Sequence, residues 1–116
     1  MPVIKVWCLP AELKEDDLRQ LHRQMVNAVV SVRELGLKDQ NDMTILFPVD
    51  MMKYGLGEEI IVEVEMFERP ERAPEVKKRL VANLGFVLKM HFPKAKVEVG
   101  PVKTFNPETD GFWFSQ

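Results

Sequence analysis

The chain begins Met-Pro-Val-Ile-Lys-Val-Trp, and the proline at its second position is the residue with the most unusual chemical potential. If Met1 is removed, the Pro2 nitrogen becomes a free secondary amine, a base carried by the backbone itself. If Met1 stays, the same nitrogen is a tertiary amide with no proton and no useful basicity. Two cations are the next candidates. "FERPER" (67–72) places Arg69 and Arg72 three residues apart around Pro70. They can hold an anion, or they can form a solvated loop neutralised by Glu68, Glu71 and Glu75. The single cysteine, Cys8, reads as a small buried hydrophobe and excludes an intrachain disulfide. The two histidines, His22 and His91, are far apart in sequence, so a His-based metal site is not expected, and no cofactor is expected either. His22 reads as a polar-face residue of a helix. His91 reads as a helix-end residue near the terminal carbonyls.

These residues sit in a chain of 116, a length that favours one domain (1–116) around one core. Hydrophobic residues make up 46% and charged residues 29%, the balance of an ordinary globular chain. Sixteen basic and 18 acidic residues leave a net charge of -2, and no Lys/Arg block occurs. That balance argues against a nucleic-acid or membrane partner. The amino-terminal residues lack a cationic start followed by an apolar run, and the apolar stretches are too short to span a bilayer. The expected location is the cytoplasm.

Strand and helix signals then alternate. "VIKVWCL" (3–9) is mostly β-branched or aromatic and predicts a strand. Glu12, Glu15, Asp16 and Asp17 mark a helix start, and Leu18, Leu21, Met25, Ala28, Val29, Val32 and Leu35 form one apolar face. Gly36 supplies a C-terminal cap. A second strand is expected over 42–49, a turn or short hairpin over "DMMKYGLGEE" (50–59), and a third strand over 59–67. Pro74 is placed as a first helical residue. Val76, Leu80, Leu84, Val87 and Leu88 form a second apolar face, which must end before Pro93. A fourth strand is expected over 95–102, interrupted by Gly100 and Pro101, and a short fifth over Phe112–Phe114.

The result is an α+β two-layer fold: a duplicated β-α-β with pseudo-repeats 2–49 and 59–103 and a tail 104–116. Right-handed crossovers put both helices on one face of a four-stranded mixed sheet, with parallel strands inside each half. Two helices cover only one face. The other is either solvated or packed against another subunit, and the apolar pairs Ile60–Ile61 and Val6–Trp7 favour a subunit interface.

The "MP" start running into the first strand, the duplicated β-α-β, "VEVEMFER" (62–69) and the tail "TDGFWF" (109–114) together resemble the tautomerase superfamily. Its long-chain members include macrophage migration inhibitory factor and the carboxymethyl-hydroxymuconate isomerases. The pattern is most like that of small uncharacterised bacterial tautomerase-like proteins. The resemblance implies a homotrimer in which three sheets close into a barrel with the helices outside. The C-terminal strand would extend a neighbour's sheet, and Pro2 would lie at the base of an apolar pocket near a subunit boundary.

The resemblance also implies the chemistry: keto–enol or double-bond proton transfer on a small 2-oxo or 2-hydroxy-unsaturated carboxylate. Such a reaction needs a base with a conjugate-acid pKa near ambient pH. Burial and nearby cations both lower the pKa of an amine, as Pro2 would require. By position Arg69 is carried over as the catalytic cation and Arg72 as a substrate-binding one. Lys38 lies where the superfamily often has a charged pocket residue. Phe105, Phe112 and Trp113 are candidate pocket walls, and Asp110 or Glu108 a candidate acid. The fourth-strand and tail region lacks the tyrosine that some members use, the chain's one tyrosine being Tyr54. His22 lies about two turns too early to match the histidine of the dehalogenase branch. Both departures argue against hydrolytic dehalogenation and for simple tautomerisation. Two alternatives stay open: a trimeric binding or structural protein without catalysis, and a decarboxylase or hydratase with an acid such as Asp110 near Pro2.

Overall fold

A computed structural model describes residues 2–52, 56 and 58–115. The elements are β1 (Val3–Trp7), α1 (Glu15–Val30), β2 (Thr44–Leu46), β3 (Glu59–Phe67), α2 (Pro74–His91) and β4 (Lys96–Phe105), with single 3-10 turns at Arg33–Leu35 and Gln40–Asp42. The sheet order is β2-β1-β3-β4. β1 pairs parallel with β2, and β3 parallel with β4. The central β1–β3 pair is antiparallel. Each half is thus a parallel β-α-β unit, and the two meet edge to edge.

Strand alternation separates two environments. Ile4, Val6, Ile60, Val62, Val64 and Met66 point to the helix layer and are almost fully buried. They pack with Leu21, Met25 and Val29 of α1 and Val76, Leu80, Leu84 and Leu88 of α2 in one cluster. The helices are also joined by polar bonds. Asn83 donates to Ala28 O (3.1 Å), and His91 Nε2 pairs with Gln24 Oε1 at 2.6 Å. His91 therefore bonds across to α1 rather than to its own helix end. Lys89 donates to Pro93 O and Ala95 O, tying the last turn of α2 to the segment that leads into β4.

The other sheet face, which no helix of the chain covers, mixes apolar and charged side chains. Each apolar pair sends one member inward, leaving Trp7 and Ile61 outward among charges. Lys5 lies opposite Glu63, and Glu65 opposite Lys103. Trp7 Nε1 donates to Glu63 Oε1 (2.6 Å). Opposite charges facing across neighbouring strands stabilise the sheet.

Several boundaries shift for local reasons. β1 stops at Trp7 because Cys8 turns to φ 69°, a left-handed backbone that breaks the strand. α1 stops at Val30 instead of running to Leu35, as the chain tightens through Val32 N–H to Val29 O (3.1 Å) while Asn83 takes up the Ala28 carbonyl. Val32 and Leu35 stay buried, and Gly36 caps the following 3-10 turn at φ 70°. β2 is short because Asp39 accepts from Asn41 N–H (2.8 Å) and Asp42 from Lys38 N–H (2.7 Å). Such side-chain bonds compete with the ladder. The turn begun at Asp50 runs into residues outside those described, and Tyr54 lies there too.

β4 runs on to Phe105 through a bulge. Val62 pairs with Val99 but Val64 with Val102, so Gly100 and Pro101 together face one residue of β3. An extra residue reverses which side chains face which way. Val97 and Val99 face the helices before the bulge; Val102 and Thr104 do so after it. Lys103 and Phe105 consequently share the open face with Glu65 and Phe67. The short strand expected at Phe112–Phe114 does not form within the chain: Phe112 is held through its ring, not through a backbone ladder. Gly100 has φ 103°, which L side chains resist. Gly100→Ala should destabilise the protein by roughly 1–3 kcal/mol, read as a lower urea midpoint. An unchanged midpoint would mean that the bulge is not fixed by this glycine.

Candidate active site

The antiparallel β1–β3 pair brings the start of β1 to the end of β3. Parallel pairing brings the end of β4 to the same place, and the start of β2 as well. Pro2, Phe67, Phe105, the 68–73 loop and the segment before Thr44 therefore gather at one end of the sheet. Pro2 is buried there, and its carbonyl accepts from Thr44 N–H (2.8 Å). Glu68 N–H donates to Phe105 O (2.7 Å), tying the β3 exit to the end of β4.

The two arginines have different surroundings. Arg69 is exposed. Arg72 is 93% buried by its 7% exposure. Arg72 N–H donates to Arg69 O (3.0 Å), closing a turn, and Arg72 Nη1 donates to Phe67 O (2.7 Å). Its buried Nε has no hydrogen-bond partner. Burial pushes the Arg72 pKa down from its ordinary value, the Arg69 charge adds to this, and Glu71 opposes it. A guanidinium nevertheless stays protonated. Two cations close enough to repel, one with an undonated N–H, form a spot that an anion would stabilise.

Aromatic rings cover this end of the open face. Phe67 meets Phe105 and Phe112 edge-on, each at 5.2 Å between centroids, and Phe112 lies 6.0 Å from Phe114. Beside the rings, a cavity of about 150 Å³ on the open face is lined by Val3, Lys5, Glu63, Glu65, Pro101 and Lys103, among others.

The expected residues thus divide. Pro2, Arg69, Arg72, Phe105 and Phe112 converge on one end of the sheet. Lys38 is exposed on the loop before β2, at the same end, with its N–H on Asp42. Trp113 is 84% exposed and walls nothing within the chain. The Asp110 carboxylate accepts from Asn106 N–H (2.8 Å) while Asp110 N–H donates to Asn106 O (2.8 Å), so that it clamps the tail turn. Phe67 joins the cluster although the sequence does not single it out. Alternation along β3 places Phe67 on the open face, but its meeting with Phe105 depends on the bulge. No group of three or more His, Cys, Asp or Glu side chains converges among the described residues. No helix among them is long and apolar enough to cross a membrane.

No protein-family model and no curated protein matches the sequence. Solved structures do match over nearly the whole chain. A macrophage migration inhibitory factor-like protein from Entamoeba histolytica superposes with a TM-score of 0.67 at 10% identity, over 98% of this chain and 96% of that one. Malonate semialdehyde decarboxylase, studied for its decarboxylase and hydratase activities, gives 0.65 at 16% identity, over 98% and 92%. A fused 4-OT, solved as a symmetric trimer, gives 0.59 at 12% identity, over 95% and 99%. All are tautomerase-superfamily structures, and this chain has the fold they share.

The contrast between the arginines is measurable. Arg72→Ala removes a buried bond to the Phe67 carbonyl and should cost roughly 1–3 kcal/mol. Arg69→Ala should stay within about 0.5 kcal/mol of wild type. Urea denaturation of both variants checks this; equal losses would contradict the assigned burial.

Proposed function

We propose that the protein is a tautomerase-like isomerase, catalysing keto–enol or double-bond proton transfer on a small 2-oxo or 2-hydroxy-unsaturated carboxylate. With Met1 removed, the Pro2 amine takes the proton as general base. Arg69 and Arg72 hold the carboxylate and the developing enolate charge. The observation that carries this reading is the convergence of buried Pro2, the repelling arginine pair with its undonated Arg72 Nε, and the aromatic cluster at one end of the sheet. Each feature suits the task. Burial and two nearby cations lower the pKa of an amine, the anion satisfies the cations, and the rings shield the site from water.

The same reading makes residues 1–116 one domain that acts as a cytoplasmic homotrimer. Its support is the fold shared with a fused 4-OT solved as a symmetric trimer, together with an open sheet face and a tail whose backbone has no ladder partner. In a trimer the Phe112–Phe114 segment can extend a neighbour's sheet, and exposed Trp113 and Lys38 can reach a pocket shared between subunits. Light scattering should give three times the 13.4 kDa chain mass; a monomer would remove this part of the proposal.

A decarboxylase or hydratase is the second reading, suggested by the likeness to malonate semialdehyde decarboxylase. It needs an acid near Pro2, and the engagement of Asp110 with Asn106 favours the isomerase. A trimer of the same fold without turnover is the third.

The test is the ketonisation of an enolised arylpyruvate by protein whose intact mass lacks Met1. The rate constant kcat/KM should rise with pH as the amine deprotonates. Pro2→Ala should lower it about 100-fold or more, and Arg69→Ala about 10- to 100-fold. Full retention of Met1 in the native host, or a Pro2→Ala variant as active as wild type, would overturn the proposal.

A further inference from the structure

Alongside α1, a groove runs between the helix and the segment from Asp39, which lies toward the Pro2 end of the sheet, to Asp50 at the other end. Its middle is a cavity of about 460 Å³ lined by Glu15, Leu18, Arg19, His22, Arg23, Gln40 and Phe47. Leu18 and Phe47 also line a second cavity of about 160 Å³, which continues over Leu9, Pro10, Leu13 and Val49. The middle volume is in the range of small-molecule sites.

The groove is chemically graded. Arg19, His22 and Arg23 recur at helical spacing on one face of α1. Arg19 is held by Glu15. His22 and Arg23 make no hydrogen bond or ion pair with the other described residues, so Arg23 is the cation left for a ligand. Gln40 lies across from them. At the other end the lining is aliphatic, aromatic and proline, with Asp50 at the margin bonded by Cys8 Sγ (3.4 Å). A cationic head site that opens onto an apolar trough is complementary to one ligand shape, an anion at the end of an alkyl chain.

We propose that this groove binds a medium-chain carboxylate, its head on Arg23 and His22 and its chain laid over Leu18 and Phe47 toward Pro10 and Leu13. The groove shares no lining residue with the Pro2 site and does not depend on the activity proposed there. Arg23 is exposed, so its loss leaves the core intact.

The experiment is an amide NMR titration of the full-length protein with octanoate, with octanol and octyl phosphate as comparisons. Octanoate should shift residues 18–27 and 40–49 saturably. Arg23→Ala, checked for unchanged melting, should bind at least tenfold more weakly, and octanol likewise on wild type. Equal binding by Arg23→Ala or by octanol, saturable shifts confined to Val3, Phe67 and Arg69, or no saturable shift would overturn the proposal. Tighter binding of octyl phosphate than of octanoate would overturn the choice of a carboxylate head.

Discussion

Two parallel β-α-β units can be joined edge to edge in either sense, and the register from Val3↔Glu65 to Trp7↔Ile61 fixes the antiparallel one. Everything at the candidate site depends on that pairing. It carries the start of the chain to the end of β3, where the loop bearing Arg69 and Arg72 begins. Had the halves met in parallel, Pro2 and the arginines would lie at opposite ends of the sheet. The pairing is secured by Ile4, Val6, Val62 and Val64, buried against the helices, so core packing and site geometry are the same constraint seen from two sides.

The second determinant is the bulge at Gly100–Pro101. Without it the outward set of β4 would be reversed beyond Val99, and Phe105 would face the helices. With it, Phe105 joins Phe67 and receives Phe112 from the tail. Arg72 is then held by the Phe67 carbonyl at the edge of this cluster. The buried guanidinium is kept with one N–H undonated and a second cation beside it. That arrangement is costly unless an anion is bound, because a buried donor without a partner loses its hydration.

Much of the architecture was legible in the residues. Helix spacing gave both apolar faces, Pro74 and Pro93 bounded α2, and alternation along "EIIVEVEMF" gave β3 at its full length. Non-local features were not legible. The mixed charge of the open face is balanced by cross-strand pairs such as Lys5–Glu63, which only register reveals. The β4 continuation and the meeting of Phe67 with Phe105 follow from a bulge that the sequence shows merely as Gly-Pro. Arg69 and Arg72 look equivalent in "FERPER"; the turn closed by Arg72 N–H on Arg69 O exposes one and buries the other. The fold likeness rests on structure, since matches at 10–16% identity leave little shared sequence to read.

The proposed chemistry requires the Pro2 nitrogen to be a free, basic amine in an environment that lowers its pKa. Nitrogen NMR of protein labelled at proline, titrated in its native assembly, observes that atom directly. The expected result is a titrating secondary amine with a pKa below that of an exposed prolyl amine, moving upward when a carboxylate neutralises the arginine pair. A non-titrating amide signal at Pro2, or an amine with the pKa of an exposed terminus, would contradict it.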